Sequence, residues 1–318
     1  MNNYICNAPV LLIFFNRADT FAKVFDKVRE VKPRILYLAQ DGPRNENDIA
    51  GIRECRKIVE NIDWECEITR DFSDVNLGCG MRPQSAITKT LKKYGKAIIL
   101  EDDCVPSRSF FPYCEELLER YKDDERIAYI SGLNHFETWD CGNSDYFFTR
   151  AGGISGWATW ERAWGRFYDY SVESFSDPYT KKLYGMQIAN KNVAKQRFQS
   201  VNRAFNAAKN QEKLSYWDTQ WGFAQFTQNM LAIVPRKNLI CNIGVGTSST
   251  HAQGREKNKY VKFKNMLFIP TYELEFPLKN PAYCAPDMEY HNLVYKMNEV
   301  NPLRAFLGKI ARRLRVIK

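Results

Sequence analysis

Histidine is scarce in this chain, with three in 318 residues. The nine cysteines make no Cys-x-x-Cys pair and no Cys/His spacing. A structural zinc site and a disulfide framework are both disfavoured, and reduced thiols in a cytosolic setting are expected. No apolar run approaches the roughly 18–20 residues that a membrane-spanning helix needs. There is no Gly-Lys-Ser/Thr ending and no Gly-x-Gly-x-x-Gly, so neither a P-loop nor a dinucleotide-binding turn is indicated. The opening stretch MNNYICNAPVLLIFFNR lacks a basic leader and a small-residue cleavage site, and it reads as a buried first strand rather than a signal peptide. No internal repeat or low-complexity segment is present.

What the chain does have is positive charge. The formal net charge is +9, which points to an anionic partner: nucleic acid, an anionic membrane or a phosphorylated substrate. Six of the cations crowd the last residues, NPLRAFLGKIARRLRVIK: Arg304, Lys309, Arg312, Arg313, Arg315 and Lys318. Leu303, Phe306, Leu307, Ile310, Leu314 and Ile317 share the opposite face. The pattern over 301–318 predicts a basic amphipathic helix lying on an anionic membrane surface. A nucleic-acid partner is not expected, because no zinc finger, RNP motif or basic-aromatic interleaving accompanies the charge.

The first hundred residues alternate between two periodicities. Val10–Phe15 is an apolar run, residues 17–31 carry Phe21, Val24, Phe25 and Val28 at helical spacing, and RILYLAQDG returns to strand. A second helix is expected over 46–60, a strand in WECEITRDF, a third helix over 83–95 with Gly95 as its C-cap, and a strand in KAIILEDD. Strand–helix alternation predicts an α/β fold with a mostly parallel sheet flanked by helices. In such sheets ligands gather at the carboxyl ends of the strands. Three of those ends are polar here: Asn16-Arg17, Gln40-Asp41-Gly42 and Glu101-Asp102-Asp103. Farther on, 106–125 reads as a helix, RIAYISG as a strand and 178–213 as a polar helical stretch.

Glu101, Asp102 and Asp103 follow directly on the apolar strand AIIL. Oxygen-only ligands favour a hard divalent ion such as Mg²⁺ or Mn²⁺, which binds one carboxylate together with substrate phosphates. The loop DVNLGCGMRP places Asn76 and Gly78 where backbone amides could approach a phosphate, or simply make a turn.

These pieces together resemble the GT-A-fold glycosyltransferases that use nucleotide-sugar donors. They are similar above all to the inverting N-acetylglucosaminyltransferase that starts complex N-glycan branching and to bacterial polysaccharide glycosyltransferases of like layout. The segments that carry the resemblance are FFNRADT, LAQDGPR, IILEDDCVPSRSFFPYCEELLERYKDD, GISGWATWERAW, YWDTQW and SSTHAQG, in order over about residues 8–255. The resemblance implies a Rossmann-like GT-A sheet and an inverting, metal-dependent transfer from a nucleotide-diphosphate sugar, UDP favoured, to a glycan or lipid-linked saccharide. It implies Ile13 and Arg17 at the base and phosphates, Asp41 at the base or ribose, and Glu101 and Asp102 at hydroxyls. Asp103 is the implied metal ligand, Asp218 the catalytic base, and Thr250 and His251 close over the diphosphate, with His251 a second candidate ligand.

Chemistry supports the choice of Asp218. Inverting transfer needs one base on the acceptor hydroxyl, and a carboxylate flanked by Trp217 and Trp221 is expected to be partly desolvated and strengthened as a base. Its position also suits a helix N-cap. Trp157 and Trp217 either stack on an acceptor sugar or pack in the core. The match departs from the animal enzyme, whose motif at Asp218 has two adjacent aspartates. His135 and His291 are expected to be structural or at the surface, and Cys104 a small packing residue.

The expected organisation is a donor-binding half over 1–105, an acceptor-binding and catalytic half of the same domain over 106–270, and a C-terminal extension over 271–318. The expected location is cytoplasmic and peripheral on the inner face of the membrane. The alternative of the same fold, a sugar-nucleotide pyrophosphorylase, normally carries a Gly-rich basic N-terminal loop that FFNRADTF does not resemble.

Overall fold

The computed structural model describes residues 4–244 and 267–299. Thr250, His251 and the basic tail 301–318 lie outside the described residues. The chain begins with strands β1 (Val10–Phe14), β2 (Ile35–Gln40), β3 (Glu67–Phe72) and β4 (Lys96–Glu101), separated by helices α1 (Ala18–Val31), α2 (Ile49–Glu60) and α3 (Gly78–Tyr94). The remainder supplies β5 (Cys104–Pro106), α4 (Phe110–Arg120), β6 (Ile127–Ser131), β7 (Tyr146–Thr149), β8 (Trp157–Trp160), α5 (Glu161–Phe167), α6 (Pro178–Met186) and α7 (Lys191–Lys209). Last come α8 (Asp218–Thr227), β9 (Leu231–Pro235), β10 (Ile240–Asn242) and α9 (Met288–Asn298).

One eight-stranded sheet, ordered β3-β2-β1-β4-β8-β6-β9-β7, passes through both expected halves. All its strands except β8 and β7 run the same way, so the sheet is mixed and mostly parallel. The apolar runs are continuous because both faces are covered. Val10, Leu12, Phe14, Leu36, Leu38, Ile98 and Leu100 face one core, with α1, α2 and α4. Leu11, Ile13, Tyr37, Ala39, Ala97 and Ile99 face the other, with α3, α5 and α8. A third core lies under α6, α7 and α9.

Local signals explain several boundaries. The α1 stripe of Phe21, Val24, Phe25, Val28 and Val31 is fully buried. Phe14 of β1 stacks on Phe21 with ring centroids 4.3 Å apart. Gly95 ends α3 in the left-handed region at φ 76°, and its N–H donates to the Leu91 carbonyl.

Three expectations are corrected here. Helix α3 begins at Gly78, not Pro83, so part of the expected glycine loop is its first turn. The segment 106–125 shortens to α4, preceded by the short strand β5. The stretch 178–213 divides into α6 and α7, the second capped by Asn190, whose side chain accepts from the Asn192 and Val193 amides. Leu274 and Leu278 join the first core, while Tyr290, Val294 and Tyr295 join the third.

Candidate active site

Parallel strands β1, β2 and β4 end on one edge of the sheet, with Ile13 opposite Glu101 in register. Helix α3 precedes β4 and α8 precedes β9, and both must run back across the sheet. Their N-termini therefore lie at the same edge as those strand ends. Topology alone collects Phe15–Arg17, Asp41, Gly78, Glu101–Asp103 and Asp218 along one rim.

Arg17 is the cation at the centre of this rim. Its Nη2 donates to Asp102 Oδ1 and, at 2.9 Å, to Asp103 Oδ2. The Phe15 amide donates to Asp102 Oδ2 at 3.3 Å. Burial opposes the Arg17 charge, but Asp102 and Asp103 outweigh it and hold the guanidinium more firmly protonated than usual. Burial pushes Glu101 above the ordinary carboxylate range, and the neighbouring charges of Asp103 and Asp102 push it further. Asp218 adds to that push, so its charge reaches Glu101 across the rim. Asp102 is also raised by burial, against the pull of Arg17. Among the described residues three carboxylates meet the one guanidinium of Arg17, and protons or cations would relieve their repulsion.

The small β5–β10 ladder adds a wall that sequence reading missed. Cys104 pairs with Asn242, and the Ile243 amide donates to the Asp103 carbonyl at 2.8 Å. Gly244 then passes so close that a Cβ there would stand 2.1 Å from Asp103 Oδ2. A side chain there would have to push the Asp103 carboxylate aside, and the signal available in sequence was the glycine-spaced run NIGVG after an apolar strand. Cys104 is buried as expected, and its thiol also donates to Asp103 Oδ1 at 3.4 Å. Arg44, likewise not anticipated, lies over the Phe15 ring at 5.1 Å and pairs with Asp48.

Asp41 does not face a ligand. Its Oδ1 accepts from the Gly42 and Leu77 amides, and its Oδ2 from the Gly78 amide and Asn76 Nδ2. Four donors fill the four lone-pair sites of a carboxylate, so the expected contact with base or ribose has no acceptor left. The phosphate reading of Asn76 and Gly78 fails with it. The Gly78 amide points at a carboxylate, and Asn76 is tied to Asp41 and to the Gly42 carbonyl.

Ile13 is buried in the core beside Tyr37 and Ala39. Trp157 and Trp217 are 1% and 5% exposed and stack on each other at 5.7 Å, within a cluster that includes Trp164 and Trp221. A sugar needs an open ring face, so the core reading of both tryptophans replaces the acceptor-platform reading. Asp218 also differs from expectation. It is exposed, and it is the first residue of α8 rather than its cap, which is Trp217. The tryptophans on either side of it are buried in the second core. His135 and His291 are buried at 5% and 3%, on the structural side of their expected roles.

Among the described residues no group of three metal-ligating side chains is assembled. Asp103 nevertheless offers hard oxygen atoms beside a glycine backbone, a donor set that suits one divalent ion shared with substrate phosphates.

No protein-family model and no curated protein matches the chain. Among solved structures it is similar to HddC from Yersinia pseudotuberculosis (10% identity, 38% of this chain and 58% of that one, TM-score 0.25). It is similar to a UDP-glucose pyrophosphorylase complexed with UDP-glucose (9% identity, 44% and 62%, TM-score 0.24). It is also similar to the galactosyltransferase LgtC in complex with donor and acceptor sugar analogs (11% identity, 92% and 98%, TM-score 0.34). The chain spans less than two thirds of the first two. With TM-scores this low the overlaps are loose, and the functional reading rests on the site.

Proposed function

We propose that the protein is a GT-A-type glycosyltransferase that moves a sugar, with inversion, from a nucleotide-diphosphate donor to a glycan or lipid-linked saccharide. The observation that carries the reading is the rim itself: Glu101, Asp102 and Asp103 at the end of one parallel strand, Arg17 from the next, and the first turn of α8, with Asp218, at the same sheet edge. Carboxylates gathered along one rim suit a substrate rich in hydroxyls, with Arg17 available to a diphosphate.

Each residue has a task in this reading. Glu101 and Asp102 accept from donor hydroxyls. Arg17 turns from the carboxylates to the diphosphate as the sugar–phosphate bond breaks. Asp218 takes the proton from the acceptor hydroxyl as its oxygen bonds the anomeric carbon from the opposite face. Asp218 lies at the surface at the start of α8, and the approach of an acceptor would desolvate it further. Asp103 would hold Mn²⁺ or Mg²⁺, which would supply charge stabilisation for the departing diphosphate. UDP is the favoured nucleotide, and Thr250 and His251 are assigned to the diphosphate by the motif match alone. No helix among the described residues is long and apolar enough to cross a membrane. We assign the protein to the cytoplasmic membrane surface, in surface polysaccharide or glycan synthesis.

The test is a screen of nucleotide sugars with Mn²⁺, read by release of nucleoside diphosphate. Asp218→Asn should lower kcat by two or more orders of magnitude while donor binding persists. Full activity in that variant would remove the assigned base. No thermal response to any nucleotide diphosphate would remove the donor site.

A further inference from the structure

Helix α6 carries an outward stripe that the folded body leaves uncovered. Tyr179, Lys182, Leu183 and Met186 fall at i, i+3, i+4 and i+7, on one helical face. Tyr179, Leu183 and Met186 are 64%, 43% and 71% exposed. The other side of the helix is firmly seated. Tyr184 is buried with its ring 5.1 Å from Phe223, and Asp177 caps the first turn by accepting from the Tyr179 and Thr180 amides. The apolar exposure therefore belongs to an ordered helix, not to a frayed end.

Along α6 and α7 the sequence is strongly cationic, while Glu173 and Asp177 precede α6 and Glu299 accepts from Asn190 and Asn192 at the start of α7. Over residues 178–213 the cations are Lys181, Lys182, Lys191, Lys195, Arg197, Arg203, Lys209 and Lys213, against the single carboxylate Glu212. Lys191, Lys195, Arg203 and Lys209 are exposed along α7, whose Val193, Val201, Ala204 and Ala207 are buried. Helices α6 and α7 touch directly: Lys181 of α6 sits 5.7 Å over the Phe205 ring of α7.

We propose that the α6–α7 face docks on an anionic lipid surface, with Tyr179, Leu183 and Met186 entering the headgroup boundary and the lysines and Arg203 meeting the phosphates. Both halves of the pattern are needed for that partner. A nucleic-acid backbone would use the cations and leave Leu183 and Met186 without a role. A twofold contact with a second copy would place the same cations against each other. The inference does not depend on the transferase reading, and it is separate from the tail 301–318.

Full-length protein should co-sediment with phosphatidylcholine vesicles containing phosphatidylglycerol, and not with phosphatidylcholine alone. Raising salt should weaken the binding. In the full chain, Lys182→Glu with Lys195→Glu should weaken partitioning by about fivefold or more per lysine. Leu183→Gln with Met186→Gln should weaken it about tenfold, while Met186→Leu should leave it intact. All these positions are exposed, and unchanged melting temperatures should accompany the losses. Wild-type partitioning in both double variants would assign binding to the tail and overturn the proposal. So would a lipid-free dimer that the Leu183/Met186 variant dissociates.

Discussion

Arg17 Nη2 bonds Asp102 and Asp103 together, and Asp103 is the carboxylate that would hold a divalent ion in the proposed reaction. Two cations cannot share those oxygens without repulsion, worth several kcal/mol at such range in a partly buried site. Arg17→Gln should therefore bind Mn²⁺ at least tenfold more tightly than wild type in the absence of nucleotide, and bind nucleoside diphosphate more weakly. Loss of the free Mn²⁺ signal in electron paramagnetic resonance reads the first effect, and calorimetry the second. Equal Mn²⁺ affinity in the two proteins would show that Asp103 does not hold the ion. A second residue reports on the third core. His291 is buried beside Arg197 and Arg150, and burial first, then those cations, lowers its pKa from 6.5 to about 4. Its Nδ1 has no partner among the described residues. The unfolded chain binds a proton near pH 6.5 and the folded chain only near 4, so stability is full above pH 6.5 and falls as the pH drops through that window. The gap corresponds to about 3 kcal/mol at most. Urea melts of wild type should weaken between pH 6.5 and 4, and His291→Gln should lack that part of the slope. The acidic cluster was legible because its residues are adjacent in the chain. The burial of Trp157 and Trp217 was not, since a tryptophan at a strand or helix end reads alike whether its ring meets solvent or another ring.

At the scale of elements, the start of α3 shows how distant residues decide a boundary. Pro83 is a good first helical residue, and the sequence pattern favours it. The helix begins at Gly78 because Asp41, from the end of β2, accepts from the Leu77 and Gly78 amides and so caps it across space. Gly80 makes the early turn possible, since a Cβ there would lie 2.1 Å from the Leu214 carbonyl oxygen. Asp41→Asn should turn a donor toward those amides and lower stability by about 2–3 kcal/mol. If Asp41 instead contacted the nucleotide base, the same change would weaken donor affinity and leave the melt in place. Thermal unfolding and nucleotide titration of the one variant separate the two. The elements of the first hundred residues were legible because both sheet faces are buried and the helices are amphipathic. Strands β5 and β10 were not, since three residues carry no readable period, and β7 and β8 are short apolar runs that suit a buried helix equally well.

For the whole molecule, the class of fold followed from strand–helix alternation, while the junction between the two halves did not. That junction is the antiparallel pairing of β4 with β8, where Ile99 lies opposite Trp157. It joins the strand that ends in Glu101 to the half that carries Asp218. Trp157 touches Tyr129, Trp164, Trp217 and Trp221, so it locks β8 to β6, α5 and α8. A sheet continuous through this seam should unfold in one transition, with calorimetric and van't Hoff enthalpies in agreement. A nucleoside diphosphate bound at the rim should then raise the single melting point in proportion to the logarithm of its concentration. Trp157→Ala should cost about 3–5 kcal/mol through the cavity it leaves, and it should also loosen the seam. Two transitions in wild type, with only the lower one responding to nucleotide, would mean that the halves fold separately. The distance from Glu101 to Asp218 would then be set by a hinge rather than by the sheet, and the inverting geometry would need domain closure to form.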